Sequence, residues 1–300
     1  MRPARPGLAP ATARAEALRQ LTAALAASGI EAPALDARLL VCAAAQITHA
    51  DLVRDPDLAL GEGPLRQLED FTARRIAREP VSRILGSRGF WNLDLFVTPA
   101  VLDPRPETET LVEAAVEVLA ERRSSALRIV DLGTGSGALL CAMLSEFPAA
   151  TGVGIDLSVA ACDVARRNLE RCGLAARGEI QHGDWAAAMG RRFDLAIANP
   201  PYIASEMIPA LAPEVRDHDP HLALDGGIDG FDAYRAIIGL LPQILATDGV
   251  VILETGAGQG EAVRDLVQGA GLIAAAPRHD LAGHDRAVVA HVRPPGPRKA

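Results

Sequence analysis

The stretch Arg128–Gly137, which reads RIVDLGTGSG, decides the fold of this 300-residue chain. Its first five residues form a mostly apolar run, as a buried strand does, and Ala138–Glu146 behind it shows helical periodicity. The glycines between them carry no Cβ, so the backbone can approach a bound molecule closely. The stretch therefore predicts a strand, a ligand-binding turn and a helix in succession.

The same alternation continues to the end of the chain. It predicts an α/β fold with a mostly parallel, Rossmann-like sheet, helices on both faces and an antiparallel last strand. Ligands of such sheets bind beyond the carboxyl ends of the strands. The further predicted strands are Thr151–Asp156, Glu179–His182, Phe193–Ala198, Gly249–Glu254, Leu272–Ala275 and Ala287–Val292, and the further predicted helices are Val159–Arg171, Ala233–Leu245 and Glu261–Gly269.

The residues before this alternation have a helical pattern. Apolar residues at helical spacing predict three helices, and two short extended segments then predict a hairpin that leads through a proline-rich loop into a fourth helix. We predict a helical domain over 1–82, a hairpin linker over 83–104, an α/β domain over 105–293 and a tail over 294–300. The predicted helices are Ala11–Ser28, Ala34–Ala45, Leu65–Arg78 and Glu107–Arg122, and the hairpin strands are Gly86–Trp91 and Leu93–Val97.

The composition limits the class of protein. The formal net charge is −8, and a chain without a basic block is a poor candidate for binding nucleic acid through its phosphates. No apolar run approaches the length of a membrane span. The cysteines lack the spacing of a zinc site or a disulfide framework, and a proline separates His218 from His221. We therefore expect no nucleic-acid partner, no membrane association, no metal, and a reducing compartment, the cytoplasm.

Two carboxylates accompany the glycine turn. Asp131 precedes the turn and would repel a pyrophosphate, and the turn lacks the wider-spaced glycine and the lysine of phosphate-binding loops. Asp156 ends the next strand, where it can accept from both ribose hydroxyls or cap the helix that follows. The turn therefore favours an adenosyl ligand, with a candidate binding set of Asp131, Gly133, Thr134, Gly135, Ser136, Gly137 and Asp156.

A third candidate position follows the third strand. Gly183-Asp184-Trp185 places an acid and a flat aromatic side chain at its carboxyl end, where they can bind an adenine amino group and cover its ring. A turn aspartate beside a buried tryptophan explains the same residues without a ligand.

The tetrapeptide Asn199-Pro200-Pro201-Tyr202 follows the fourth strand. Two consecutive prolines remove two N–H donors and leave carbonyl oxygens free to accept, and the Asn199 carboxamide adds another acceptor. Two acceptors can hold both hydrogens of a planar NH2 group and favour charge build-up on its nitrogen, while Tyr202 can stack on the flat group. Since a plain Pro-Pro turn requires neither the asparagine nor the aromatic residue, the motif predicts chemistry on a planar nitrogen.

A second glycine-rich loop, Glu254–Gly260, follows the fifth strand. No carboxylate closes the strand after it, as Asp156 does for the first turn. We therefore interpret this second loop as a turn with glycine caps.

Taken in order, these loops resemble those of the class I methyltransferases, and within them the release factor glutamine methyltransferases, the HemK/PrmC family. The helical section, Phe90-Trp91 and Arg105-Pro106-Glu107-Thr108-Glu109 add to the resemblance, which spans nearly the whole chain. Amino-methyltransferases of nucleic acids with the same tetrapeptide do not usually carry the Arg-Pro-Glu-Thr-Glu segment. Asp103 and Thr255 depart from the family pattern.

The resemblance implies S-adenosylmethionine as the cofactor, S-adenosylhomocysteine as the product, and the glutamine of the Gly-Gly-Gln loop of class I peptide chain release factors, methylated at N5, as the substrate. The helical domain would recognise the release factor, and Arg105 and Glu107 would line the approach to the site. The implied cofactor contacts are Gly133 to Gly137, Asp156, Trp185 and Asn199, with Asp184 beside them; the implied substrate contacts are Asn199, Pro200, Pro201 and Tyr202, of which Asn199, Pro200 and Tyr202 serve catalysis.

Other functions stay open at this point. A glutamine of a ribosomal protein, or the N6 amine of adenine in nucleic acid, also presents a planar NH2 group to such a motif. The glycine turn also suits a nicotinamide oxidoreductase, or a module that binds the cofactor without catalysis. The acidic charge and the lack of an added basic segment count against the nucleic-acid substrate.

Overall fold

The computed structural model describes residues 7–292 of the chain as two compact units. One unit comprises the described residues up to Gly86 together with Pro213–His218, and the other comprises Ser87–Ala212 and the described residues from Asp219 onward. The predicted tail, 294–300, lies outside the described residues, and the predicted domain boundaries stay predictions.

The first unit is helical. Its core is formed by fully buried leucines, among them Leu21 and Leu25, which lie four residues apart on one helix face. The three predicted helices are confirmed, whereas α3 and α5 were not predicted because six and five residues are too short to show a helical period. The helices are α1 (Arg14–Ala27), α2 (Pro33–Ala45), α3 (His49–Arg54), α4 (Glu62–Ile76) and α5 (Val81–Leu85), with a further turn of helix at Pro213–Arg216.

An ion-pair cluster explains why a distant segment belongs to this helical unit. The Glu214 carboxylate accepts from the Arg75 and Arg78 guanidinium groups at 3.2 Å. Arg75 is buried, and its Nε also donates to Asp36 at 2.7 Å. A buried guanidinium requires such partners. The ion pairs of Glu214 therefore join this residue to arginines that lie 136 or more positions away in sequence.

The second unit is built on an eight-stranded mixed sheet with the strand order β5-β4-β3-β6-β7-β10-β8, with β9 paired to β10. The strands β3 to β7 are parallel, and β10 is antiparallel to β7 and β8, which confirms the predicted fold class. The strands are β1 (Ser87–Phe90), β2 (Leu93–Phe96), β3 (Arg128–Leu132), β4 (Thr151–Asp156), β5 (Gly178–His182), β6 (Phe193–Ala198), β7 (Leu245–Glu254), β8 (Leu272–Ala274), β9 (Arg278–His279) and β10 (Asp285–Val292).

Helices cover both faces of this sheet. Successive residues of β3 point to opposite faces, so Ile129 and Val130 belong to two separate clusters of buried side chains. The predicted helix Glu107–Arg122 is divided, because Leu119 leaves the α-helical backbone conformation (φ −103°, ψ 18°). The helices are α6 (Glu109–Val118), α7 (Ala138–Glu146), α8 (Val159–Arg171), α9 (Asp232–Ile244) and α10 (Gly260–Gly269), with 3-10 turns at Pro106–Thr108, Ala120–Arg122, Trp185–Ala188, Ser205–Ala210 and His221–Ala223.

The predicted hairpin is confirmed as β1 and β2, which pair antiparallel. Its backbone is bonded to helices of the same unit. Trp91 N donates to Glu109 Oε1 of α6 and Phe96 N donates to Asn168 Oδ1 of α8, each at 2.7 Å. Among residues 7–292, no helix has both the length and the apolar character needed to cross a bilayer.

The strand order reverses between β3 and β6. The chain runs outward from β3 through β4 to β5 and then returns to β6 on the other side of β3. Loops that leave two such strands diverge to opposite sides and open a crevice at the carboxyl end of the sheet. The glycine turn follows β3 and the tetrapeptide of Asn199 follows β6, so both lie at this crevice.

Candidate active site

A cavity of about 550 Å³ lies at this crevice. Its walls come from the segment before α6, the glycine turn, the loops after β4 and β5, the tetrapeptide after β6 and the segment that leads into α9. The predicted site residues that line it are Arg105, Asp131, Gly133, Thr134, Gly135, Ser136, Asp156, Asp184, Trp185, Asn199, Pro200 and Pro201. Gly137, Glu107 and Tyr202 are not among its lining residues.

The glycine turn is folded tightly against β4. Gly133 N and Thr134 N both donate to Ile155 O, at 2.8 and 2.9 Å. Gly133 has a φ of 82°, and a Cβ at this residue would lie 3.7 Å from Trp185 Nε1. The left-handed backbone therefore favours glycine at this residue, and the absence of a Cβ leaves room beside Trp185.

Asp131 is the buried carboxylate of the turn. It is 1% exposed, and its Oδ2 accepts from Thr134 Oγ1 at 2.6 Å and from Leu140 N at 3.2 Å. Its Oδ1 has no hydrogen-bond partner among residues 7–292. Burial raises the pKa of Asp131 to about 7, although the bonds from Thr134 and Leu140 lower it. A buried carboxylate that lines a cavity with an unused oxygen can accept a donor or a cation there.

Asp156 connects β4 to the glycine turn. Its Oδ2 accepts from Gly135 N and its Oδ1 from Ser158 N, both at 2.8 Å. The alternative that Asp156 caps α8 is wrong, because the Ser158 hydroxyl takes that place by accepting from Ala161 N at 3.2 Å. Each carboxylate oxygen has a second lone pair, so Asp156 can still accept from hydroxyl groups in the cavity.

Asp184 and Trp185 form the wall beyond β5. Asp184 is exposed, and its Oδ1 accepts from Ala186 N at 3.1 Å, which starts the 3-10 turn. Trp185 is half-buried and lines the cavity. The structure is therefore compatible with both a turn and a ligand-binding role for this pair. The aspartate forms the turn, and the tryptophan still lines the cavity.

The Asn199 carboxamide is held by a residue that the sequence analysis did not assign a role. Its Nδ2 donates to Thr108 Oγ1 at 3.2 Å, and Thr108 itself is 5% exposed and lines the cavity. With Nδ2 bound in this way, Oδ1 is left as an acceptor. No described residue donates to the Pro200 carbonyl oxygen. Asn199 Oδ1 and the Pro200 carbonyl oxygen are thus acceptors without a described donor, and their predicted role toward a substrate NH2 group stays a prediction.

Tyr202 is directed away from the cavity. Its hydroxyl donates to Glu254 Oε1 at 3.4 Å, and its carbonyl oxygen accepts from Gln259 Nε2 at 3.0 Å. Burial raises the pKa of the Tyr202 hydroxyl. Both bonds come from the second glycine-rich loop, which therefore supports the tetrapeptide. The stacking role assigned to Tyr202 stays a prediction.

Arg105 and Glu107 differ in their surroundings. Arg105 lines the cavity, and its Nη2 donates to the fully buried carboxylate of Asp219 at 2.5 Å. Glu107 is exposed in the short 3-10 turn before α6. Their predicted roles at the approach to the site stay predictions.

The cavity is acidic. One arginine, Arg105, lines it, and so do five aspartates: Asp131, Asp156, Asp184, Asp225 and Asp232. Such a lining favours a cationic ligand and disfavours a pyrophosphate or a nucleic-acid backbone. Among residues 7–292, no group of three or more His, Cys, Asp or Glu side chains is placed to hold a metal ion.

One wall of the cavity was not predicted from the sequence. This wall is the segment between the tetrapeptide and α9, whose lining residues are Pro220, Leu222, Ala223, Asp225, Gly227, Asp232 and Ala233. Two features of the sequence point to it. The connection from β6 to α9 is far longer than an ordinary loop, and long ordered connections are commonly functional. It also contains Asp225-Gly226-Gly227, a cluster that allows close backbone approach.

Two family models match the chain. Residues 16–86 match the model of the PrmC N-terminal domain, and residues 108–217 match the methyltransferase small domain. The release factor glutamine methyltransferase of Bradyrhizobium diazoefficiens is 46% identical over 93% of this chain and 95% of its own length. That of Cereibacter sphaeroides is 48% identical over 93% of this chain and 98% of its own length. The chain belongs to the release factor glutamine methyltransferase family.

This membership confirms the predicted family and the predicted methyltransferase activity. It disfavours the oxidoreductase and the non-catalytic module. Among solved structures, the 16S rRNA N2 G1207 methyltransferase of T. thermophilus, in complex with AdoMet and guanosine, superposes with a TM-score of 0.50 at 20% identity. The match covers 69% of this chain and 50% of that chain, and it shows the fold alone.

Proposed function

We propose that this methyltransferase transfers the methyl group of S-adenosylmethionine to the side-chain amide nitrogen, N5, of the glutamine in the Gly-Gly-Gln loop of class I peptide chain release factors. The observation that carries the proposal is the pair of acceptors, Asn199 Oδ1 and the Pro200 carbonyl, in residues that line the same cavity as the glycine turn. The choice of glutamine rests on the family, since an adenine amine also presents two hydrogens.

The cavity residues fit the proposed cofactor. Asp131 offers an unused buried oxygen to its ammonium group, Asp156 offers free lone pairs to its ribose hydroxyls, and Trp185 offers a half-buried ring to its adenine. Gly133 leaves the space that a Cβ would fill. When bound, S-adenosylmethionine supplies a methyl group that is electrophilic because it is attached to a sulfonium centre.

The residues of the tetrapeptide act on the nucleophile. The nitrogen of an amide is a poor nucleophile because its lone pair is delocalised into the carbonyl group. Asn199 Oδ1 and the Pro200 carbonyl can accept both of its hydrogens, aim the nitrogen and stabilise the positive charge that develops on it. The rigid prolines hold these acceptors in place before the substrate arrives, so little reorganisation is needed.

The proposed partner is a protein, and the predicted helical domain is proposed to bind it. Support comes from the acidic cavity, which is a poor surface for a phosphate backbone. We place the activity in the cytoplasm, because all four cysteines are free thiols.

The direct test is mass spectrometry of a purified release factor after incubation with the enzyme and S-adenosylmethionine. We expect one added methyl group on the glutamine of the Gly-Gly-Gln loop, and no added methyl group when that glutamine is replaced by alanine. Ribosomal proteins and adenine-containing oligonucleotides are incubated in parallel. Methylation of one of these, with the release factor unmodified, would overturn the proposed substrate but leave the chemistry on a planar nitrogen intact.

A further inference from the structure

Asp219 carries a fully buried carboxylate next to residues that line the cavity. It lies on the long connection between β6 and α9, directly before the wall residues Pro220 and Leu222. Its Oδ2 accepts from Arg105 Nη2 at 2.5 Å, and its Oδ1 accepts from Asp103 N at 3.3 Å. Burying a carboxylate is costly unless donors compensate it. The transfer step does not use this ion pair, so its place beside the cavity requires another explanation.

The Arg105 guanidinium has donors left for a ligand. Arg105 lines the cavity, and its side chain is 32% exposed. A guanidinium carries five N–H donors in one rigid plane, and among residues 7–292 none accepts from Nε or Nη1 of Arg105. Because Asp219 holds Nη2 from the buried side, the plane of the guanidinium is restrained. Arg105 is therefore a fixed group of donors at the cavity.

Hydrogen bonds connect both partners of this ion pair to the tetrapeptide. Thr108, which accepts from Asn199 Nδ2 at 3.2 Å, donates its backbone N–H to Arg105 O at 3.1 Å. The connection that carries Asp219 accepts from the N–H of Ile203, the residue after the tetrapeptide, at 3.0 Å. No described residue of the glycine turn is hydrogen-bonded to Arg105. The contacts therefore associate Arg105 with the substrate side of the cavity rather than with the cofactor side.

The chemistry of the reaction limits which substrate oxygen a guanidinium can bind. A cation at the side-chain carbonyl of the glutamine would oppose the transfer, because it draws electrons away from the amide nitrogen on which positive charge develops. The backbone carbonyls of the loop carry no such penalty. Two successive glycines leave these carbonyls accessible, since no Cβ covers them. A guanidinium fork can bind neighbouring oxygens at the same time.

We propose that Arg105 binds backbone carbonyl oxygens of the substrate loop, and that Asp219 is a positioning residue that holds the Arg105 guanidinium for this contact from the buried side. Without the Asp219 carboxylate the guanidinium can turn away, so the protein substrate binds more weakly. Cofactor binding and the transfer step persist, because neither the glycine turn nor Asn199 is changed. This inference rests on the proposed function.

The test is steady-state methylation of a purified release factor by Asp219→Asn, which keeps the size of the side chain and removes its charge. We expect the KM for the release factor to rise about 10- to 100-fold. The kcat, and the Kd for S-adenosylmethionine measured by calorimetry, should stay within about threefold of the wild-type values. A role in folding alone would lower the melting temperature and the amount of active enzyme without raising KM.

A second variant keeps the test decisive if the buried substitution disturbs folding. Arg105→Lys changes a partly exposed side chain, keeps its charge and removes the fork, and it should raise KM to a similar extent. In the double variant with Asp219→Asn the two effects should not add, because no fork is left to hold. Asp163→Asn, which breaks the exposed ion pair with Arg166 on α8, is the matched control and should keep the wild-type KM.

Three results would overturn the inference: an unchanged KM for the release factor in both single variants, additive effects in the double variant, or weaker binding of S-adenosylmethionine with that KM preserved. The last result would assign the guanidinium to the carboxylate of the cofactor. A wild-type protein that does not methylate a release factor would instead refute the proposed function. The two failures are therefore distinguishable.

Discussion

The loops after β3 and β7 are similar in sequence and differ in what they do. Both join a parallel strand to a helix through several glycines. A carboxyl group that is 1% exposed lies at the end of the strand before each loop, Asp131 in β3 and Glu254 in β7, and burial raises the pKa of each to about 7. Each of these carboxyl groups has one oxygen without a hydrogen-bond partner among the described residues.

The two loops differ in function because β3 and β7 have different places in the sheet. The loop after β3 leaves the sheet where the strand order reverses and lines the cavity, whereas β7 lies one strand beyond β6 and its loop reaches the back of the tetrapeptide. Glycine content alone therefore does not identify a ligand-binding loop. The place of the strand in the sheet order decides it.

The largest effect is expected at Asn199, which lines the cavity together with the first loop and lies in the tetrapeptide that the second loop supports. Asn199→Ala should lower kcat about 1,000-fold, because an acceptor that stabilises developing charge is lost. The Kd for S-adenosylmethionine, measured by calorimetry, should change less than about threefold, since the glycine turn is untouched. This result would separate the loop proposed to bind the cofactor from the residues proposed to perform the transfer.

The matched control is Asn92→Ala, which alters an exposed asparagine at the tip of the hairpin. It should keep wild-type turnover. A large loss of cofactor affinity in Asn199→Ala, with turnover preserved at saturating cofactor, would contradict the assignment of Asn199 to the substrate side.

The two buried carboxyls should also make the protein less stable at higher pH. The folded protein keeps both protons up to about pH 7, whereas the unfolded chain releases them near pH 4. The folded state thus binds more protons in this window, so the free energy of unfolding falls as the pH rises from about 4 to 7, by on the order of 3 kcal/mol for each group. Urea unfolding at pH 5 and pH 8 measures this loss.

Substitution then distinguishes the two groups. Asp131→Asn and Glu254→Gln should each remove about half of this pH dependence. Adding S-adenosylmethionine should change the part of this pH dependence that comes from Asp131 and not the part from Glu254, because only Asp131 lines the cavity. If the free energy of unfolding depends on pH in both variants as it does in the wild type, neither carboxyl group is the cause of that dependence.

The smallest effect concerns the glycines themselves, and the chain offers a matched pair. Gly133 in the first loop and Gly258 in the second have φ values of 82° and 79°, and no atom lies within 4 Å of a Cβ built on Gly258. Alanine at either residue should cost about 1–2 kcal/mol of stability for the left-handed backbone. Only Gly133→Ala should weaken cofactor binding in calorimetry, by about tenfold, because its methyl group enters the cavity. Equal affinities in the two variants would contradict the assigned roles of the loops.

Much of the fold was predictable because it depends on local patterns. The bounds of α7, β4, α8 and β6 agree with those predicted from apolar periodicity. The short helices α3 and α5 and the two-residue strand β9 were missed because they are too short to show a period. The segment Pro213–His218 was not predicted to join the helical unit, since Glu214 is paired with arginines more than a hundred residues away in sequence.

The sequence by itself determined the chemistry of the site. Glycines after β3, a carboxylate after β4 and Asn199 before two prolines specify their local backbone and their acceptors, because these properties belong to the residues themselves. Only the tertiary structure decided which groups act together. Thr108 comes to Asn199 from the 3-10 turn before α6, and Glu254 comes to Tyr202 from the end of β7. Their burial, which raises the pKa of the Glu254 carboxyl, depends on the packing of elements distant in sequence.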